Sequence, residues 1–584
     1  MQNKYRELLD RRFGMFVHYG IYSAIGGIWK GQPSVGLGEW VQLRSEIPNA
    51  EYEAFAKENF LPSPDFAKNL VKRAKDAGVR YIVLTSKHHD GFCLFKSAVD
   101  GYNTYDYYGR DICRELVDAC NEEGLEVGFY YSHTLDWHEK NGAGNIARYD
   151  NTPAKNRNYW DFPNSDIDFE QYFRDKCIPQ VKELLTNYGP LKLIWFDFPH
   201  DIVPEQSREL RDLVKSLQPD CLINSRIGHG MHDYNSLGDN ALPSAPHGVN
   251  TECLVTLNHT WGYRSDDHEW KSSAEMISIL ARTLASDSTI LLNVGPMGNG
   301  MLTPETNKIL EDMGVWTRRN ADAIYGNVTA NPFPSLFDFG QVAKKDNKIF
   351  FYISNEGTAS FSVSGLKSAP VKVSLIGDSR EVKYSYDGDE LHIETLDTDM
   401  LLPVYCAEFG GEPVISEEIS QNGDNISLGI SWAKKINKNT PDALPEKLVF
   451  ESDQYSKDYC THGVAIFRTD RIFNWLDRSE MLVWDAEVKE DGVYEAEVVH
   501  ALGLVSWGKV ITKADLSLSV CGEAHNVGEE KCRYTISRTG QDNTMIVRDA
   551  GRFNLTAGKH RFILENLADD NDIPLIAVKF NKIG

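Results

Sequence analysis

The sequence predicts an α/β fold. A TIM-like (β/α) barrel spans residues 1–328, followed by a β-sandwich over 329–411 and a second sandwich, a candidate carbohydrate-binding module, over 412–584. Three observations lead there. Short apolar runs alternate with amphipathic stretches from about residue 8 to 325, the grammar of parallel strands covered by helices. Beyond residue 330 short strands recur at hairpin spacing with turns such as Asp387-Gly388. Finally, 584 residues exceed what one core holds. An open doubly wound sheet is the alternative, but no G-x-G-x-x-G follows the first strand.

The strand candidates are GMFVHYG, RYIVLTSK, EVGFYYS, LKLIWFD, CLINSRI, ECLVTL and TILLNVG. Between them lie helix signals. SPDFAKNLVKRAKDAG has Ser63 as N-cap, Pro64 in the first turn and Gly78 as a stop. RDICRELVDACNEEG stops in the same way at Gly124, and SSAEMISILARTLASD precedes the last strand. After the barrel come KIFFYIS, SFSVSG, VKVSLIG, EVKYSY and LHIETL, then MLVWDAEV, GVYEAEVVHAL, LSLSVCG and LIAVKF. Trp475, Trp484 and Trp507 in the final segment offer a sugar platform, but read better as core residues.

Composition narrows the function. Net charge is −24, which opposes nucleic acid and anionic membranes as partners. No apolar run reaches the roughly 18 residues of a membrane span, and no apolar signal region opens the chain, so a cytoplasmic location is expected. The ten cysteines are scattered without a C-x-x-C pair, as expected of buried thiols in a reducing compartment.

A coherent set gathers at the strand ends, where barrels place their chemistry. The first strand ends in His18 and the second in His88, His89 and Asp90. The third brings Tyr130 and Tyr131, with His133 and Trp137 beyond, and the fourth Trp195 and Asp197. Arg226 follows, Glu252 opens the next strand, and Glu39 and Trp40 stand on a long first loop. Aromatic faces stack on sugar C–H bonds, while imidazoles, arginine and carboxylates bond hydroxyls. Two carboxylates are what glycosidic cleavage requires. Blander readings stand beside these: a histidine pair on backbone carbonyls, Asp197 as a helix cap, Glu252 in a solvated loop, Trp195 and Tyr131 as core. A metal-dependent barrel hydrolase would use the same imidazoles and carboxylates, but neither His-x-His on the first strand nor H-E-x-x-H is present.

The blocks RRFGMFVHYGIYS, GEWV, VRYIVLTSKHHDGFCLFKS, LIWFD, TWGY and LLNVGPMGNG resemble glycoside hydrolase family 29, the α-L-fucosidases, over residues 8–325. The resemblance implies a retaining, double-displacement, exo-acting enzyme releasing terminal L-fucose from oligosaccharides or glycoconjugates, with no metal and no cofactor. It implies Asp197 as nucleophile and Glu252, ahead of TWGY, as acid/base, with Asp233 and Asp239 as alternatives. His18, His88, His89, Tyr131, Trp195 and Arg226 would line the fucose pocket, closed by Glu39 and Trp40. Many relatives have Gly after the nucleophile's strand end, where this chain has Phe198-Pro199. A catalytically silent fucose-binding protein is the non-enzymatic alternative.

Overall fold

The computed structural model describes residues 2–142, 158–163, 167–199, 202–243, 246, 250–440, 444–448, 478–501, 515–535, 544–568 and 575–584. Eight parallel strands curl into the N-terminal barrel: β1 (Phe13–Val17), β2 (Tyr81–Lys87), β3 (Glu126–Ser132), β4 (Leu193–Asp197), β5 (Leu222–Ile223), β6 (Asn235–Ser236), β7 (Thr251–Thr256) and β8 (Ser288–Val294). Their order in the sheet is β5-β4-β3-β2-β1-β8-β7-β6. The two ends meet at one parallel bridge, Asn224 to Tyr234. Seven of the strands follow the apolar runs of the sequence. The eighth, β6, is a two-residue strand of Asn and Ser in a stretch that reads as loop, because its pairing supplies what its side chains do not.

Helix boundaries follow local chemistry. The helix Phe66–Ala77 begins at Asp65, and Ser63 starts the preceding turn instead, its carbonyl accepting from Phe66 N at 3.1 Å. It ends at Gly78 with φ 97°, where a Cβ would also lie 2.5 Å from Thr317 Oγ1, so glycine is required twice over. Ile112–Glu123 starts on Asp111, whose carboxylate accepts from Arg114 N at 2.9 Å, and stops at Gly124. Ser272 and Glu275 form a capping box at the head of Ser273–Ala285.

The barrel interior is a packed layer rather than a channel. Phe16, Tyr81, Val83, Tyr130, Leu193, Trp195, Leu254 and Leu291 fill it, and Tyr5, Leu8 and Leu9 of the N-terminal helix Gln2–Arg11 join them. That helix closes the end opposite the strand C-termini: Tyr5 donates to Thr251 O at 2.7 Å, at the start of β7. The open end is therefore the one to which the strands deliver their last residues.

Two antiparallel sheets follow, one of four strands between Gly340 and Phe409 and one of three strands between Ser360 and Glu394, facing each other over Phe351, Phe361, Leu391 and Tyr405. Trp316 of the last barrel helix donates to Leu402 O at 2.9 Å and ties them to the barrel. A second pair of sheets lies between Ile419 and Lys582. Trp484 is in its core, its Nε1 bonded to Gly429 O at 2.9 Å, so it offers no sugar platform; Trp475 and Trp507 lie outside the described residues. Of the nine described cysteines, Cys521 and Cys532 are exposed and the other seven buried, while Cys460 lies outside the described residues. Among the described residues no helix is long and apolar enough to cross a membrane.

Candidate active site

At the open end of the barrel a cavity of about 110 Å³ is lined by side chains from most of the strand ends. Its size is below the roughly 300–1,000 Å³ of pockets that enclose drug-sized ligands, which suits one sugar ring and not a chain. Asp197 stands at the end of β4 on its wall. Its Oδ2 accepts from Tyr130 OH at 2.9 Å and its Oδ1 from Arg226 Nη1 at 3.0 Å, with His89 Nε2 3.9 Å from Oδ2. A second nitrogen of the same guanidinium, Nη2, bonds Asp239 Oδ1. Arg226 thus stands between two carboxylates, its plane 4.9 Å from the Trp195 ring.

Three imidazoles line the cavity beside these carboxylates. His18 Nδ1 lies 2.6 Å from Asn293 Oδ1, whose amide donates to Trp261 O at 2.8 Å. Burial drives His18 down to about 3 and His88 well below the usual imidazole range, so both rings are neutral at physiological pH. A neutral imidazole both donates and accepts, which suits a sugar hydroxyl better than a fixed cation. His88 and His89 pack at 4.2 Å, and His88 stacks on Tyr130 at 5.3 Å. Glu39, on the turn Gly38–Trp40, accepts from Gly262 N at 2.7 Å, and burial raises its carboxyl to about 7.

Seven of the eight lining residues expected from the sequence reach the cavity: His18, Glu39, Trp40, His88, His89, Trp195 and Arg226, together with Asp197. Tyr131 does not. It turns outward and donates to Gln180 Oε1 at 2.8 Å, while its neighbour Tyr130 faces the cavity. Side chains alternate along a strand, and β3 pairs with β4 so that Tyr130 sits opposite Trp195. Glu252 is likewise not among the residues lining the cavity. It lies near the start of β7, fully buried beneath the cavity, with Oε1 accepting from Trp195 Nε1 (2.9 Å) and Tyr234 OH (3.4 Å) and Oε2 from Tyr81 OH (3.1 Å). Burial raises it to about 7, but it is part of the floor. Of the alternatives, Asp233 is turned away, held by Lys215 and by Ile223 N at 2.8 Å. Asp239 lines the cavity.

Asp90 braces its own loop, accepting from Tyr52 OH at 3.0 Å and Phe92 N at 3.2 Å. His133 is packed on Phe196, ring centroids 5.2 Å apart. Trp137 N donates to His89 O at 2.7 Å, and its ring backs Trp40 at 5.3 Å. Phe198, noted in the sequence as a departure from relatives, lines the cavity too; Phe16, Leu37, Leu254 and Trp261 complete the lining and were not singled out, though strand parity could have found Phe16, two residues before His18. Among the described residues no three His, Cys, Asp or Glu side chains converge as metal ligands.

The family model described as Alpha-L-fucosidase matches residues 1–322, more than half of the chain. The chain belongs to the α-L-fucosidase family. Tissue α-L-fucosidase of Bos taurus is 26% identical over 428 residues, 64% of this chain and 81% of that protein. Among solved structures, α-L-fucosidase isoenzyme 1 from Paenibacillus thiaminolyticus is 30% identical with a TM-score of 0.62, covering 70% of this chain and 99% of that one. An α-L-fucosidase from Lactobacillus casei, 37% identical, covers 55% of this chain and 99% of that one at a TM-score of 0.51, and a mutant of it has been solved with Fuc(α1,6)GlcNAc. An α-L-fucosidase from Vibrio, 23% identical, shares the fold over 100% of this chain at a TM-score of 0.82, sandwich segments included. Family membership makes the protein a glycoside hydrolase, a barrel enzyme with further sheet domains.

Proposed function

We propose that the protein is a retaining, exo-acting α-L-fucosidase in which Asp197 is the nucleophile and Asp239 the acid/base. The observation that carries this is Arg226, which holds the two carboxylates on different nitrogens of one guanidinium. Both carboxylates thereby line one cavity, as a pair that cleaves a glycosidic bond must.

In the first step an Asp197 oxygen attacks the anomeric carbon from one face while the glycosidic bond breaks and the leaving oxygen takes the Asp239 proton. In the second, Asp239 removes a proton from water, the water oxygen bonds the anomeric carbon, and the bond to Asp197 breaks. Asp239, its side chain 33% exposed, stands where leaving group and water pass, whereas Glu252 meets neither. His18, His88, His89 and Glu39 are placed to bond the hydroxyls of one fucose, and Phe16, Trp195 and Trp261 to receive its methyl group and C–H face. A small cavity at the open end of the barrel favours a non-reducing terminal residue. The substrate is then a fucosylated oligosaccharide or glycoconjugate.

The test is hydrolysis of an aryl α-L-fucoside with azide added. Asp197→Ala should be inactive and recover with azide to give β-fucosyl azide; Asp239→Ala should recover giving the α-azide. Recovery of Glu252→Ala instead of Asp239→Ala would overturn the acid/base assignment.

A further inference from the structure

Most of the cavity lining is buried, but Leu37, Trp40, Phe198 and Asp239 are only half-buried and form its mouth. Trp40 and Phe198 are neighbours there, ring centroids 5.9 Å apart and inclined at 58°. Both pack on His89, at 5.3 and 5.4 Å. Trp137 holds Trp40 from behind, and the Phe198 carbonyl accepts from Thr134 Oγ1. The backbone of Phe198, the residue next to Asp197, has φ 62°. L side chains rarely adopt that conformation, and strain of this kind persists at ligand clamps where surroundings over-determine it. Here it turns a phenyl ring to the mouth where glycine would leave a gap.

We propose that Phe198 and Trp40 are the binding site for the leaving group: an aromatic corner that stacks on the C–H face of the sugar joined to the scissile oxygen. Asp239 stands at the same mouth, so a ring held on this corner has its glycosidic oxygen beside the carboxyl that must protonate it. Arg44 backs the Trp40 ring at 5.6 Å, and the aromatic surfaces of the corner suit a pyranose with a flat apolar face. This rests on the fucosidase reading of the cavity.

The experiment compares kcat/KM for α-L-fucosyl fluoride, whose leaving group is one atom, with that for Fuc(α1,6)GlcNAc. Wild type, Phe198→Ala, Phe198→Gly and Phe198→Leu are measured, folding being checked by the thermal midpoint. Each substitution should lower kcat/KM for the disaccharide at least tenfold more than for the fluoride, chiefly through KM. Glycine, which also relieves the backbone, should match alanine. Equal losses on both substrates, or a leucine variant with wild-type discrimination, would overturn the inference. A wild type that hydrolyses the disaccharide but shows no sensitivity to Phe198 overturns it while leaving the fucosidase reading intact; one inert toward the fluoride overturns both.

Discussion

The hydroxyl of Tyr130 lies 2.9 Å from Asp197 Oδ2, across the β3–β4 pair that sets Ser132 opposite Asp197. Tyr130 and Tyr131 are chemically identical neighbours on one strand, and the pleat gives one to the site and the other to the helix layer. Tyr130→Phe should lower kcat/KM about 10- to 100-fold. A hydrogen bond to a charged group contributes about 1.5–3 kcal/mol, and each 1.36 kcal/mol of barrier is about tenfold in rate. Tyr131→Phe should leave kinetics within about twofold while costing about 1 kcal/mol in denaturant unfolding, the value of a buried neutral hydrogen bond. Reversed effects would place the wrong tyrosine in the site.

Glu252 makes a prediction about pH. Burial raises its carboxyl from the usual range to about 7. The folded state therefore holds a proton that the unfolded chain releases above about pH 4.5, so stability is highest in acid and falls as pH rises toward 7. Glu252→Gln removes that slope. The variant should be relatively more stable at pH 8 than at pH 5, by up to about 3 kcal/mol if the whole shift is realised, and should keep fucoside hydrolysis within a few-fold. Urea unfolding at the two pH values checks the first part; a hundredfold loss of turnover would contradict the second.

Asp136 is fully buried between two lysines, Lys87 and Lys176, each 3.1 Å from Oδ2. Those cations hold its carboxyl far below the ordinary range despite burial. Lys176 keeps a second partner in Asp100 at 2.8 Å, and Lys87 donates to Tyr172 OH at 2.7 Å. Asp136→Asn should cost about 3–5 kcal/mol by leaving a buried charge uncompensated. Differential scanning calorimetry reads this directly, and an unchanged midpoint would refute it.

Gly91 closes the loop that carries the histidine pair. It has φ 79°, and a Cβ there would stand 2.2 Å from Asp136 Oδ1. Gly91→Ala should displace Asp136 and with it the His88–His89 loop, lowering both the thermal midpoint and fucose affinity. Isothermal titration with L-fucose would show the second effect, and unaltered affinity would count against the coupling.

Much of the barrel was legible because its strands are buried on both faces: YIVLTSK and LKLIWFD are largely apolar runs set between amphipathic helices. Helix stops at Gly78 and Gly124 were legible because a left-handed C-cap is a local demand of the backbone. The strand-end residues Asp197, His88 and His89 were legible for a related reason, since the end of a parallel strand is a position that sequence alone locates.

Side-chain direction and depth belong to the tertiary structure. Whether Tyr130 or Tyr131 faces inward depends on the pairing of β3 with β4, a contact between segments some sixty residues apart. Glu252 fell under the floor because β7 begins at Thr251, which puts its second residue low in the barrel among Tyr81, Trp195 and Tyr234. Asp239 came to the site through Arg226, across a two-residue strand with no apolar signature. Local sequence therefore determined the elements and the chemistry they carry. Register and closure, which are energies of contacts between distant segments, decided which of those side chains meet.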